Sequence, residues 1–329
     1  MVNGVATALA ATVDTVDSRG GDYDTMVSVS AGDRVALRAT ASGSPTNTSC
    51  GWSVGFQADT FGDTVLIGGR ADGLHTSTDE YNHPMGGYTW RTDTANFDRQ
   101  CLFPAPGTLR DLHVDLDEAP GGSGSYTFDI DAGDLQFDID DPDEVGNSGS
   151  KTHSVSSGDD IRISVSPTGP TNSPQAKWGF NFQPDDQTES SCVCGSDNLM
   201  NGTATEFNQI VGTGIAWNAS ESGKLSITQL CRIKNFYVEL DQIPSINKEW
   251  TFTIMKNGSA TDLQVVIADS ATTGNNTDDV IEYDDFDNLS LRAEPTSVGA
   301  PSNGRAIWGF TVEAVYPFMD SQMMMGMGV

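Results

Sequence analysis

Aspartate is concentrated in one stretch of the chain, and its side chains are the clearest candidates for ligand binding. The acids between residues 129 and 144 are Asp129, Asp131, Asp134, Asp138, Asp140, Asp141, Asp143 and Glu144. Carboxylate oxygens are preferred ligands of Ca²⁺, and the spacing of Asp129, Asp131 and Asp134 makes these three the candidate calcium ligands. Leu135 and Ile139 alternate with polar residues, however, which favours a strand with a solvated acidic face. We therefore predict a protein without a cofactor, with bound calcium as the alternative.

The sequence contains no recognisable catalytic motif. His75 and His83 share a stretch with Asp79 and Glu80, but no third histidine or cysteine stands at ligand spacing. The sequence also lacks a nucleophile elbow, a phosphate-binding loop and a distinct pair of carboxylates. We therefore predict a protein that is not an enzyme.

The net charge excludes two classes of partner. The chain has 46 acidic and 17 basic residues, and its formal net charge is −29. Phosphate binding needs clustered lysine and arginine, so we predict no contact with nucleic acid. An acidic surface is repelled by anionic membranes, and no apolar run approaches the roughly 18 residues that indicate a membrane helix. We therefore predict no membrane partner.

The cysteines give no disulfide framework. The chain has five of them, an odd number, and they do not recur at matching positions. Cys192 and Cys194 are too close in sequence for a comfortable bond with each other, whereas a bond from either one to Cys231 remains open.

The elements that carry these residues are predicted to be strands. Apolar and polar residues alternate with a period of two along most of the chain, as they do in Val35, Leu37 and Ala39 after the Gly32-Asp33 turn. Residues 112–116 and 126–130 show the same alternation, which is typical of half-buried antiparallel strands. The expected fold class is all-β, with tandem antiparallel β-sandwich domains of the jelly-roll type, the first of them incomplete.

The chain repeats itself, and the repeated positions include three tryptophans. Trp52, Trp178 and Trp308 each stand in a closing strand of the form Trp-Gly-Phe or Trp-Ser-Val-Gly-Phe. Recurrence at one position of a strand favours packing in the core over an exposed platform for sugar stacking.

The repeats divide the chain into a half sandwich at 1–57, sandwiches at 58–183 and 184–316, and a tail at 317–329. Residues 3–33 align without a gap with residues 257–287, but no counterpart of the preceding strands stands before them. Half a sandwich cannot bury its apolar face. We therefore expect another segment or chain to complete residues 1–57, with Met1 and Val2 at the junction.

The last part of the chain is rich in methionine. Its apolar residues include Phe318, Met319, Met323, Met324 and Met325. Methionine adapts to irregular apolar contacts, so we predict that this tail docks on a neighbouring subunit. A disordered terminus is the alternative.

Several turns and strand starts together resemble a known repeat. They are Gly107-Thr108-Leu109-Arg110-Asp111-Leu112, Ala119-Pro120-Gly121-Gly122 with Tyr126-Thr127-Phe128, Asn257-Gly258 with Thr261 and Leu263, Gly158-Asp159, and the Trp-Gly-Phe close. This set is similar to a jelly-roll-like repeat in structural proteins of tailed phages and environmental viruses, including capsid-decoration and fibre-like components. The resemblance implies a virion protein whose partners are copies of itself and other virion proteins.

The sequence therefore predicts a non-enzymatic structural protein of a virus particle that assembles through shared β-strands. Two alternatives stay open. One is a subunit of an extracellular microbial filament or sheath, and the other is a fibre module that binds a glycan or a receptor. The expected location is the virion, with an extracellular location as the alternative.

Overall fold

The computed structural model describes residues 1–13, 22, 25–30, 32–43, 63–92, 97–130, 133–227, 230–284, 287–296 and 301–314. The chain separates into one compact unit at Met1–Ser49 and a second at Cys50–Val329. The second unit contains two β-sandwiches, each built from two antiparallel sheets. The all-β fold class predicted from the alternation is confirmed.

The first sandwich follows the chain from residue 64 to residue 184. Its strands are β1 (Thr64–Gly73), β2 (Glu80–Asn82), β3 (Cys101–Leu102), β4 (Gly107–Leu116), β5 (Ser125–Ile130), β6 (Phe137–Asp140), β7 (Val145–Asn147), β8 (Thr152–Val155), β9 (Asp160–Ile161), β10 (Ile163–Thr168) and β11 (Gln175–Pro184). One sheet has the order β1-β11-β4-β7, with β8 also paired to β4, and the other has the order β2-β10-β5-β6. A short 3₁₀ turn covers Phe97–Arg99.

The second sandwich follows from residue 189 to residue 314. Its strands are β12 (Glu189–Ser196), β13 (Glu206–Asn208), β14 (Ser226–Ile227), β15 (Cys231–Leu240), β16 (Ser245–Lys256), β17 (Ser259–Asp269), β18 (Thr273–Asn276), β19 (Ile281–Tyr283), β20 (Asn288–Thr296) and β21 (Ala306–Ala314). The sheets have the orders β12-β21-β15-β18, with β19 beside β15, and β13-β20-β16-β17, with β14 beside β20. A 3₁₀ turn covers Glu221–Gly223.

The two sandwiches share one topology. The β1-β11-β4-β7 order of the first corresponds to β12-β21-β15-β18 of the second, and β2-β10-β5-β6 corresponds to β13-β20-β16-β17. The pairing of β3 with β9 in the first sandwich has its counterpart in the pairing of β14 with the start of β20. The sequence repeat is therefore a repeat of the whole strand order.

Alternation places the apolar residues of each sandwich between its two sheets. Leu112, Val114 and Leu116 of β4 are fully buried, as predicted, and so are Phe128 and Ile130 of β5. The second core uses the corresponding positions of β15 and β16, together with Trp308 and Phe310 of β21. Burial of apolar area at about 25 cal/mol per Å² is the main driving force for such a fold.

Both long strands that line the core contain the same irregularity. Asp111 in β4 has φ 57°, Asn235 in β15 has φ 53°, and the pairing register shifts at each. Side-chain bonds hold the two bulges: Asn181 Nδ2 donates to Asp111 Oδ2 over 3.2 Å, and Asn235 Nδ2 donates to Thr311 Oγ1 over 3.0 Å. Asparagine and aspartate tolerate a positive φ better than most residues do.

The Met1–Ser49 unit contains isolated bridges and turns but no strand among residues 1–13, 22, 25–30 and 32–43. The bridges join Val2 to Val5 and Val2 to Val35. Over the described part of the whole chain, no helix has the length and apolar character that crossing a membrane requires.

Candidate functional site

A tight turn near residue 1 reproduces a turn of the second sandwich. Asn3 and Gly4 have φ values of 48° and 77°, and Asn257 and Gly258 have φ values of 51° and 78°. Val2 and Val5 exchange two backbone hydrogen bonds of 2.9 Å across the turn, as the flanks of a two-residue hairpin do. The corresponding flanks, Lys256 and Ser259, end β16 and begin β17.

The same side chains anchor the turn in both places. Asn3 Nδ2 donates to Asp33 Oδ1 over 2.7 Å, and Arg34 N donates to Asn3 Oδ1 over 2.8 Å. In the second sandwich Asn257 Nδ2 donates to Asp287 Oδ1 over 2.6 Å, and the N–H of residue 288 donates to Asn257 Oδ1 over 2.9 Å. The repeat is therefore preserved at the level of individual hydrogen bonds.

Hydrogen bonds also keep the aspartate carboxyl groups of the two turns, Asp33 and Asp287, ionised. The Ser30 backbone N–H and the Asn3 amide donate to Asp33 and lower the pKa of its carboxyl group. Partial burial raises the pKa of Asp287, but bonds from Asn257, the residue 284 backbone and Lys256 outweigh it and leave that pKa lowered. Both carboxylates are therefore acceptors at neutral pH.

Beyond this turn the two segments differ. In the second sandwich β16 lies between β17 and β20 and pairs with both. Among the described residues of the Met1–Ser49 unit, Met1 and Val2 lie in the place of the end of β16: the Met1 ammonium donates to Ala36 O over 2.9 Å, and Ala36 N donates to Met1 O over 3.0 Å. This matches the pairing of Met255 with Ser290. Residues 5–13 and 36–43 form no ladder, whereas their counterparts in β17 and β20 pair with β16.

The apolar side chains of this unit are exposed. Five of them, Leu9, Val13, Val29, Val35 and Leu37, are between 38% and 61% exposed. Their counterparts, Leu263, Ile267, Tyr283, Leu289 and Leu291, are at most 1% exposed in the second sandwich. We call these five residues the acceptor face. These five positions correspond to core positions of the second sandwich, and among the described residues of the Met1–Ser49 unit no sheet covers them.

The repeated tryptophans lie in the cores of the two sandwiches. Trp178 and Trp308 are 4% and 1% exposed. Trp178 Nε1 donates to Pro84 O over 2.7 Å, and Trp308 Nε1 donates to Ile210 O over 2.9 Å. This agrees with the interpretation of these two residues as core residues, and Trp52 lies outside the described residues.

The loop that receives each indole is built around a buried asparagine that the sequence analysis missed. Asn82 Nδ2 donates to Tyr88 O over 3.0 Å, and Asn208 Nδ2 donates to Ile215 O over 2.9 Å. A glutamate two residues earlier, Glu80 or Glu206, accepts a backbone N–H from five residues before it. The signal in the sequence is the repeated Glu-aromatic-Asn triplet in residues 80–82 and 206–208.

The candidate calcium ligands lie on separate elements. Asp129 is half-buried in β5 opposite Ser164, whereas Asp134 is exposed and lies 2.9 Å from His153 Nδ1. Asp131 lies outside the described residues. In β6 Ile139 is buried between the exposed Asp138 and Asp140, as expected for a strand with a solvated acidic face. Among the described residues no group of His, Cys, Asp and Glu is placed to hold a metal.

The candidate histidines lie in the segment between β1 and β4 and form hydrogen bonds with its backbone. His83 is fully buried, and burial together with Arg99 lowers its pKa to about 3, so the ring is neutral. Its Nδ1 accepts the Met85 N–H over 3.1 Å. His75 Nδ1 accepts the Ser77 N–H over 3.2 Å. Both rings therefore bond to the backbone of their own loop.

Polar groups form part of the contact between the two sandwiches, and Val193 of β12 packs against the core of the first sandwich. Thr213 Oγ1 donates to Gly86 O over 2.7 Å, and Ser191 N donates to Thr64 Oγ1 over 3.3 Å. Burial, followed by a hydrogen bond and repulsion from Asp160 of the first sandwich, raises the pKa of Glu239 to about 8. The neutral form of the Glu239 carboxyl is therefore favoured beside Asp160, where the two sandwiches meet.

No disulfide joins the cysteines that the structure describes. Cys101, Cys192, Cys194 and Cys231 are buried and unbonded to each other. Burial, with a smaller contribution from Cys231, raises the pKa of Cys192 to about 12. The disulfide to Cys231 that the sequence left open is not formed in this structure, and the Cys192 thiol, whose pKa is raised, is protonated and unreactive at neutral pH.

The predicted assembly residues are only partly described. Met1 and Val2 lie beside residues 35 and 36, as given above. Phe318, Met319, Met323, Met324 and Met325 lie outside the described residues, so the docking of the tail stays a prediction. Neither a protein-family model nor a curated protein matches this sequence.

Proposed function

We propose that the chain is a non-enzymatic structural protein of a virus particle that assembles through shared β-strands. The observation that supports this proposal is the acceptor face. Its five apolar side chains are exposed, whereas the same positions of the second sandwich are sealed by β15, β16 and their neighbours.

The physical argument starts from the cost of leaving such a face in water. Burial of one Val or Leu side chain stabilises a fold by about 1.5–3 kcal/mol. Exposed apolar side chains that form a patch on a soluble protein mark a site of association. Backbone N–H and C=O groups that are not in a sheet also favour association, because an added strand can form hydrogen bonds with them. A structural role in an assembly uses both features directly.

The high negative net charge is consistent with a protein on the surface of particles that repel one another. A net charge of −29 opposes non-specific association, so contacts must form where apolar area and strand pairing outweigh the repulsion. The placement in a virus particle rests on the resemblance of the turns and the Trp-Gly-Phe close to phage structural repeats.

The alternative of a glycan-binding fibre module receives no support from the five tryptophans that the structure describes. Trp90, Trp178, Trp217, Trp250 and Trp308 are between 1% and 8% exposed, whereas sugar stacking needs an open aromatic face. The filament alternative would use the same acceptor face. If each subunit adds a strand to the next one head to tail, the contacts need not close into a ring, and an open filament results.

Immunogold labelling separates particle from filament. Antibodies raised against the full chain would be applied to material of the source organism or community, fractionated into particles, filaments and soluble protein. We expect the label on discrete virus particles. Label on fibres supports the filament alternative, and label confined to unassembled soluble protein contradicts a structural role.

A further inference from the structure

The strand β17 has both the position and the sequence of a strand that associates with copies of itself. It lies at the end of the order β13-β20-β16-β17, so β16 is its one neighbour among the described strands of that sheet. An edge strand leaves a row of backbone N–H and C=O groups unpaired. Residues 263–268 read Leu-Gln-Val-Val-Ile-Ala, without charge, proline or glycine, and uncharged runs of this kind pair readily with identical strands.

The outward carbonyls of β17 are bonded from the other sheet of the sandwich. Asn276, the last residue of β18, donates through Nδ2 to Gln264 O over 3.0 Å and to Asp262 O over 3.3 Å. Asp262 and Gln264 are two residues apart, so their carbonyls point to the same edge of the strand. One side-chain amide therefore occupies two of the acceptors that an added strand would use.

A glycine brings the backbone of β18 close to the same edge. A Cβ at Gly274 would lie 2.7 Å from Val265 Cγ1 and 3.3 Å from Val266 O, so a residue with a side chain fits here only if its neighbours shift. The carbonyl of Val266 is the next one along this edge. We call Gly274 and Asn276 the edge lock, because together they cover three successive outward carbonyls of β17.

Contacts within its own loop fix the side chain of Asn276. Its Oδ1 accepts the Asp279 N–H over 3.1 Å, and its Nδ2 also donates to Asp279 Oδ2 over 2.9 Å. A side chain that is already held in one rotamer loses little further conformational entropy when it bonds the strand. The loop after β18 therefore orients the amide toward β17.

The first sandwich has corresponding contacts at the corresponding positions. The pairing registers make Gln136 the counterpart of Gln264, and Gly146 the counterpart of Gly274. Lys151 Nζ donates to Gln136 O, and a Cβ at Gly146 would lie 2.5 Å and 2.8 Å from two side chains of β6. The covering of this edge is thus part of the repeat, although the bonding side chain differs.

The two covered edges differ in charge. The edge strand β6 of the first sandwich carries the exposed Asp138 and Asp140, which repel an identical strand. In β17 the exposed side chain at the middle of the uncharged run is Val266, which is 54% exposed. The first sandwich therefore has a second protection against strand addition, whereas the second sandwich depends on its edge lock.

We propose that the edge lock of the second sandwich prevents β17 from pairing with β17 of a second copy of the chain. Two identical edge strands that pair antiparallel around a two-fold axis form a closed dimer with one continuous sheet. The run of residues 263–268 then lies opposite itself. This proposal goes beyond the role in a virus particle, and its test needs purified protein alone, so either proposal can fail without the other.

Opening the lock is the direct test. Asn276→Ala removes the amide that bonds two carbonyls of β17, and we expect the full chain to self-associate at a concentration at least tenfold lower than the wild type, measured by light scattering after size exclusion. Lys151→Ala is the matched change in the first sandwich and should leave association unchanged, because the aspartates of β6 remain. Val266→Lys added to Asn276→Ala places a charge on β17 and should restore the wild-type behaviour.

Further variants separate the edge from a general loss of stability. Asn276→Ser keeps a hydroxyl for the Asp279 N–H but is too short to reach β17, so it should associate as Asn276→Ala does. Asn257→Ala weakens the turn before β17 and leaves the lock in place, so it should associate as the wild type does. In the associated protein, hydrogen exchange should slow for the amides of Gln264 and Val266 and stay unchanged for β13.

Three results would overturn the proposal. The first is unchanged self-association of both Asn276 variants. The second is association of Asn257→Ala as strong as that of Asn276→Ala, which would assign the effect to lost stability. The third is new protection of amides elsewhere than in β17, which would place the contact on another surface.

Discussion

The side-chain amide of Asn3 donates a 2.7 Å hydrogen bond to Asp33, and the same bond recurs between Asn257 and Asp287 at 2.6 Å. The same hydrogen bond thus occurs in two different structural contexts. Around Asn257 the strands on either side are part of a complete sandwich, whereas around Asn3 the corresponding residues form no ladder. The residues of the Asn-Gly turn are therefore sufficient to form the turn, whereas the sheet around it needs further strands.

Replacing Asn257 tests how much the anchor contributes. Asn257→Ala removes the bond to Asp287 and places a Cβ-bearing residue at φ 51°, so we expect the free energy of unfolding of the second sandwich to fall by about 1–2 kcal/mol. Asn257→Gly keeps the backbone conformation and should recover part of that loss. Denaturant titration measures both, and equal stability of the three proteins would contradict the role of the anchor.

The Asp160–Glu239 pair predicts a pH dependence of stability. The pKa of Glu239 is raised to about 8 from its ordinary value of 4.5, so the folded protein binds a proton that the unfolded chain releases. The stabilisation is complete below about pH 4.5 and is lost as pH rises through about 8. The melting temperature should therefore fall between pH 5 and pH 9.

Two variants isolate that effect. Glu239→Gln keeps a hydrogen-bond donor for Asp160 and cannot ionise, so we expect its melting temperature to depend less on pH in this window. Glu282→Gln is the matched control, since Glu282 lies on β19 beside β15, bonds Arg232 and is largely exposed. Parallel profiles for the wild type and Glu239→Gln would show that this pair does not carry the pH dependence.

The indole hydrogen bonds predict local losses of stability. Trp308→Phe leaves Ile210 O without its donor and opens space in the second core, which should cost about 2–3 kcal/mol. Trp178→Phe is the matched change in the first sandwich, where Pro84 O loses its donor. Hydrogen exchange should accelerate mainly in the sandwich that carries each change. Unchanged exchange would argue against a packing role for these tryptophans.

Buried thiols are expected to resist labelling. Cys192 and Cys194 are fully buried, and burial raises the pKa of both. A thiol reagent at pH 8 should modify them only after denaturation, with peptide mass spectrometry identifying the sites. Modification of Cys192 in the folded protein would contradict its burial.

Much of the fold could be predicted because its signals are local. The alternation in residues 112–116, the Asn-Gly turn and the recurring Trp-Gly-Phe depend on neighbouring residues, and each has the predicted place in a sandwich. The bulges at Asp111 and Asn235 escaped prediction, since a single extra residue in a strand barely disturbs the apolar pattern.

The candidate site was only partly accessible from the sequence. The alignment of residues 3–33 with residues 257–287 was visible in the sequence, but the exposure of Leu37 and the register of Met1 against Ala36 needed coordinates. The carboxyl pair of Asp160 and Glu239 lies 79 residues apart in sequence, and only the packing of one sandwich on the other brings it together. His83 illustrates the same limit, because its burial depends on a loop that the sequence does not define.

The most direct test is a density map of the assembled protein at the acceptor face. The proposed assembly through shared β-strands predicts an extended backbone from a neighbouring subunit beside residues 35–41, with Leu37 buried. A map in which Leu37 faces solvent, or in which residues of the same polypeptide cover it, would contradict the proposal.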